Sequence, residues 1–186
     1  MAGADRVADA DTVIAATRGW IARAVIGLNL CPFARTVYVR EQIRYVVSGA
    51  RSAEALLGDL ECELRALADA APAAVETTLL IHPHALTGFL EYNEFLDIAD
   101  LAVDRLNLRG VLQIASFHPE YQFAGTEPDD VTNYTNRSPH AMLHLLREAT
   151  VETAVAAFPD ADEIADRNIA TMRRLGRRGV LDLLRG

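Results

Sequence analysis

The chain has 186 residues, 51% hydrophobic and 24% charged, enough for one globular domain with a sizeable core. A net charge of −8, with 18 cationic residues that are all arginine, offers no dense basic stripe to neutralise phosphates and argues against a nucleic-acid partner. No apolar run reaches membrane-spanning length, the first ten residues lack a basic start before an apolar stretch, and two cysteines make no disulfide framework; the expectation is a cytoplasmic protein with reduced thiols and no membrane partner.

Residues 11–28 read as a helix that Asp11 can cap, with Val13, Thr17, Trp20 or Ile21, Ala24 or Val25, and Leu28 on one stripe. Gly27, Asn29 and Pro32 end it. "IRYVV" (43–47) reads as a strand, with an earlier start at Val37 as an alternative. Ser52 opens a second helix whose stripe is Leu56, Leu60, Leu64 and Leu67. "TTLLIHP" (77–83) is an unbroken apolar strand of the kind buried on both faces. A third helix starts at Thr87 or Gly88 and carries Tyr92, Leu96, Ala99, Val103 and Leu106 at helical spacing. "VLQIASF" (111–117) is the third strand.

Residues 118–138 lack periodicity, and a loop this long inside one domain is read as a functional loop or lid, with "YQF" a candidate edge strand. Ser138 and Pro139 fit N-cap and first helical position of a helix running to about Ala157. After Phe158-Pro159, "DADE" resembles a capping box for a last helix ending near Gly176, where the Arg173, Arg174, Arg177, Arg178 run reads as a solvated end. The alternation of strand and helix predicts an α/β fold: a small, mainly parallel sheet of three or four strands covered by helices, with a C-terminal helical pair. Residues 1–186 form a single domain in this reading, with flexible tails at about 1–10 and 177–186.

Two strands end alike, in Ile81-His82-Pro83 and Phe117-His118-Pro119. Ligands of open parallel sheets bind beyond the carboxyl ends of the strands, so His82 and His118 are candidate site residues; the competing reading is two histidines that bond loop backbone. In "NRSPHAMLHLLRE" (136–148), His140 and His144 stand i and i+4 on the expected helix, within reach of one metal ion, or equally as a solvated pair. The free N–H groups of that helix, with Arg137 beside them, suit a carboxylate or phosphate; otherwise Ser138 merely caps and Arg137 pairs with Asp129 or Asp130. Cys31 lies at a helix–loop junction, as either a buried inert thiol or a nucleophile. His84 and Cys62 carry little signal.

"IGLNLCPFA", "ETTLLIHP", "YNEFLDIAD", "LQIASFHPEYQFAGT", "DDVTNYTNRSP" and "LHLLRE" together resemble a bacterial family, domain of unknown function 1415, over about Trp20 to Glu152. The resemblance implies no activity or cofactor. It does rank Cys31, His82, His118, Asn133, Asn136, Arg137, Ser138, His144, Arg147 and Glu148 as matching positions. Where the family pattern has Tyr-Pro after Asn-Arg-Ser-Pro, this chain has His140-Ala141, which disfavours the His140–His144 metal pair and leaves His144 the better candidate.

The function expected from these readings is a small-molecule enzyme acting on an anionic metabolite or natural-product intermediate at a His-rich site on the carboxyl edge. His118, His82, His144 and Cys31 are the catalytic candidates, and Asn133, Asn136, Arg137, Ser138, Arg147 and Glu120 would hold substrate. His82, His118 and His144 would ligate a divalent metal or divide acid and base roles. The alternative is a non-catalytic metabolite- or metal-binding protein using the same cleft. His118→Ala is expected to abolish activity at little cost in stability.

Overall fold

The first helical stripe does not continue unbroken. In the computed structural model, which describes residues 10–157 and 163–185, helix α1 (Ala10–Trp20) buries Val13, Thr17 and Trp20, and then Ile21–Ile26 form a π turn. The Gly27 N–H reaches back five residues to the Ala22 carbonyl (3.1 Å) and the Leu30 N–H to Val25 (2.9 Å). The widened turn keeps Ile21 and Ala24 buried directly after Trp20. Gly27 is required there, because an added Cβ would stand 2.2 Å from the Arg23 carbonyl oxygen.

The early strand start at Val37 is not found. Helix α2 (Ala34–Val39) occupies that stretch, and Glu41, at φ 56, turns the chain into strand β1 (Ile43–Val47). Ser52 caps helix α3 (Ala53–Asp69), its Oγ accepting from the Ala55 amide at 3.2 Å, and the four leucines of the expected stripe are fully buried. Strand β2 (Thr77–Ile81) is buried at all its positions, helix α4 (Phe89–Arg105) follows Gly88, and strand β3 (Leu112–Phe117) follows Gly110 at φ 78.

The sheet is mixed rather than mainly parallel. Its order is β1-β2-β4-β3, where β4 (Met142–Arg147) runs antiparallel to both neighbours and only β1 and β2 pair in parallel. The helix expected over 138–157 is therefore a strand followed by a shorter helix, α5 (Glu148–Ala157). Met142, Leu145, Leu146 and Ala149 do have helical spacing. However, β2 and β3 run in the same direction with a gap one strand wide between them. Leu143 and Leu145 fill one face of that gap and Met142 the other, all buried, and this pairing overrides the local period. "YQF" adds no strand; residues 121–123 are loop.

Helix α6 (Ile164–Arg185) completes the C-terminal pair. It passes through the end expected at Gly176, which at φ 65 and ψ 171 interrupts the helix without ending it. Most of the expected "DADE" cap, and all but Ala10 of the N-terminal tail, lie outside the described residues. Helices α3 and α4 cover one face of the sheet over Leu80, Leu112, Leu143 and Leu145. Helix α1 and the π turn cover the other over Leu79, Ile81 and Met142. A third cluster joins Leu30, Tyr134, Met172 and Val180, and the Asn168 amide donates to the Leu30 carbonyl at 2.9 Å.

Candidate functional site

His82 and His118 leave the sheet at the same edge and on the same face, because the residues before them, Ile81 and Phe117, both pair with Met142 of β4. Both are 0% exposed, and β4 separates their strands. Tyr92 of α4 lies between them, with ring centroids 5.7 Å from His82 and 5.0 Å from His118. Its hydroxyl donates to the Met142 carbonyl (2.8 Å) and accepts the Phe117 amide (3.0 Å), bridging β4 and β3 at their last pair. The network assigns the histidine tautomers. His82 Nδ1–H donates to the Ala85 carbonyl at 2.9 Å; His118 Nε2–H donates to Leu86 at 3.3 Å, while His118 Nδ1 accepts the Glu120 amide at 3.0 Å. The two imidazoles thus clamp the β2–α4 turn, in which Leu86 sits at φ 51. Burial holds both rings neutral, pushing His82 down to about 4 and lowering His118. Of the four ring nitrogens of this pair, His82 Nε2 is the one left buried without a partner among the described residues.

The segment after His118 is bonded to itself. Asn133, 0% exposed, accepts the Phe123 amide (3.0 Å) and the Thr126 hydroxyl (2.8 Å) at Oδ1 and donates to the Glu127 carbonyl (2.9 Å). Asn136 donates to the Ser116 carbonyl at 3.2 Å, and its own carbonyl accepts the His118 amide at 3.3 Å. Arg137 donates to the Tyr121 and Pro128 carbonyls (3.0 and 2.7 Å) and lies 4.6 Å over the Tyr134 ring. Ser138 caps no helix, since its hydroxyl donates to the His140 carbonyl at 2.6 Å. The anion site expected at a helix N-terminus here is therefore absent: the helix is not there, and the arginine is bound to carbonyls. Glu120 is exposed at the start of the loop.

His144 lies on the opposite face. It pairs with Leu79 and Ala115 across the sheet, and its neighbours in β4, Leu143 and Leu145, point to the α3–α4 side. The expected His140–His144 pair on a helix is overturned: His140 lies in a bend before β4 and His144 within the strand. Convergence of His82, His118 and His144 fails for the same reason. Among the described residues no three His, Cys, Asp or Glu side chains are placed to share a metal ion, so the donor set does not fit the divalent metal expected for it.

What His144 meets instead is a cavity of about 310 Å³. Trp20, Ile21 and Val25 from the α1–π segment, Phe33 and Val37 near α2, Leu79 and Phe117 from the sheet, and Val151 and Ala154 from α5 give it largely apolar walls. Cys31, Glu76, Thr77, Gln113, His144 and Arg147 add the polar groups. Thr77 gives its hydroxyl hydrogen to the Leu145 carbonyl (2.6 Å), so the 2.7 Å contact between Thr77 Oγ1 and His144 Nε2 has the imidazole as donor. His144 Nδ1 then carries the lone pair, with no partner among the described residues, and it is not among the side-chain atoms sealed from solvent. Burial pushes the ring down to about 4, so it is neutral at physiological pH.

Two sealed atoms without partners belong to residues of this same wall: Glu76 Oε1 and Arg147 Nε. The Arg147 Nη2 is shared by the carbonyls of Leu67, Ala70 and Val75 at 2.7–3.1 Å, where it closes the end of α3. Cys31 is a half-buried free thiol and makes no hydrogen bond to His144. The cavity thus gathers Cys31, His144 and Arg147 from the sequence-ranked residues, while His82 and His118 gather on the far face.

Sequence reasoning did not single out Glu76, Thr77, Gln113 or the π turn. Thr77 showed only as a polar start to an apolar strand, and its role needs β4 beside it. In the sequence Tyr92 is one member of a core stripe. No helix among the described residues is long and apolar enough to cross a membrane. No curated protein and no solved structure matches the chain. A family model does match, over residues 12–181, and the chain belongs to that family, described as a protein of unknown function, DUF1415.

Proposed function

We propose that the protein is a small-molecule enzyme whose site is the cavity on the α1–π face, with His144 as the proton-accepting group. One observation carries this reading: a neutral imidazole, fixed by Thr77 through Nε2, presents an Nδ1 without a partner among the described residues in a cavity of about 310 Å³ with mostly apolar walls. Concave, mostly apolar pockets with a few placed polar groups are the usual form of small-molecule sites. The π turn in the wall adds support, since such turns recur at functional sites. In this reading substrate gives a proton to Nδ1, and the imidazolium formed, still tied to Thr77, faces the negative charge left behind. Cys31 is a second reactive group on the same wall. His82 and His118 position loop backbone, and Asn133, Asn136, Arg137 and Ser138 hold the 118–138 segment together.

A binding protein without turnover is the second reading. Burial that keeps His144 near 4 makes it a weak base, and that observation favours a hydrogen-bond acceptor over a catalyst. Incubating the purified chain with fractionated metabolite extracts, and following both retained and converted species by mass spectrometry, separates the two. Conversion lost in His144→Phe supports the enzyme. Retention without conversion supports the binder. Neither result, with the fold intact, counts against both.

A further inference from the structure

The cavity's lining carries information about charge and hydrogen-bond sense, and the candidate ligand can be derived from it. Glu76 and Arg147 contribute one charge of each sign, and His144 is held neutral by burial. The Arg147 Nη2 is already shared among three backbone carbonyls at the end of α3, and Nε, which has no partner among the described residues, is sealed from solvent. The charges of Glu76 and Arg147 balance, so the lining offers no net positive charge to an anion, and taking an unpaired charge out of water into apolar walls is costly. Among the described residues of the lining, His144 Nδ1 is an accessible acceptor without a partner, because Nε2 holds the ring hydrogen against Thr77. An acceptor in apolar surroundings needs a donor, and Trp20, Phe33 and Phe117 supply flat walls around it.

We infer that the cavity takes an uncharged, largely apolar, ring-containing molecule bearing one O–H or N–H group that donates to His144 Nδ1. This rests on the cavity being the site, and it departs from the anionic substrate expected of the sequence. His144 is then the residue that sets specificity, independently of whether turnover follows.

Three probes of one shape test it on the intact chain: naphthol, naphthalene and naphthoate. The chain has a single tryptophan, Trp20, which lines the cavity, so quenching of its emission reports occupancy. Naphthol is expected to bind about tenfold tighter than naphthalene, the effect of one hydrogen bond in an apolar site, with naphthoate weakest. In His144→Phe the naphthol preference should vanish while naphthalene still binds. Equal affinity for naphthol and naphthalene in the native chain would overturn the role of His144 and leave the cavity as the site. Tightest binding of naphthoate would overturn the uncharged class. No quenching by any probe would remove the cavity reading itself, and this inference with it. The comparison among probes on the native chain stands even where the variant fails to fold.

Discussion

The two faces of the sheet treat histidine in opposite ways. On the α3–α4 face, His118 uses both ring nitrogens on backbone and His82 uses one, with Tyr92 packed between them and no exposure at any of the three. On the α1–π face, His144 uses one nitrogen to fix its orientation and leaves the other to a cavity. Burial depresses all three, so a shifted pKa does not distinguish them; hydrogen bonding together with access to a cavity does. A ring whose nitrogens are both bonded, as in His118, or whose free nitrogen is sealed, as in His82, holds structure together, whereas an oriented ring whose free nitrogen opens on a cavity is available to a ligand.

The largest effect that would break this comparison concerns His118. Its truncation to Ala leaves the Leu86 carbonyl and the Glu120 amide without their partner and opens a void beside Tyr92. The expected loss is about 2–4 kcal/mol in chemical denaturation. Naphthol binding by the refolded variant should stay within about twofold. This reverses the expectation from sequence, in which His118→Ala would have cost activity and spared stability.

Acid sensitivity comes next. A histidine whose folded pKa is depressed takes its proton in the unfolded chain first, so its stability contribution is present above about 6.5 and is lost as pH falls toward the folded value. For His82, at about 4 when folded, the loss is up to about 1.4 kcal/mol for each pH unit across that window. Unfolding free energies measured at intervals between neutral pH and pH of about 4 check this. A flat profile would mean that His82 is not held neutral.

Gly27→Ala sharpens the comparison from the cavity side. The added Cβ meets the Arg23 carbonyl oxygen at 2.2 Å, so the π turn must shift and carry Ile21 and Val25 with it. A cost of about 1–3 kcal/mol is expected, together with loss of naphthol quenching while the His82–Tyr92–His118 cluster is undisturbed. The smallest effect is at the thiols. Cys62 is exposed and Cys31 half-buried on the cavity wall, so naphthol should slow alkylation of Cys31 and leave Cys62, the internal control, unchanged. Mass-spectrometric labelling rates decide it.

Much of the fold was legible because local chemistry agreed with its setting. The Ser52 cap, the four-leucine stripe of α3 and the unbroken apolar β2 each declared themselves. Strand β4 did not, because its residues satisfy helical spacing and become a strand only when β2 and β3 provide a slot. That misreading propagated to the site: a helix N-terminus at Ser138, an i and i+4 histidine pair, and a face shared by three histidines all depended on it. His82 and His118 were placed at the correct edge, yet their occupation by Ala85, Leu86 and Glu120 backbone depends on the turn that follows β2. Cys31, His144 and Arg147 were each noted, and only the folded sheet brings them to one wall.

The most direct test of the central claim is histidine side-chain nitrogen NMR during a naphthol titration. The account predicts that His144 is neutral with its hydrogen on Nε2, and that its Nδ1 resonance moves as naphthol binds while those of His82 and His118 stay fixed. Movement of His82 or His118 with His144 unchanged would place the ligand on the other face of the sheet and contradict the account.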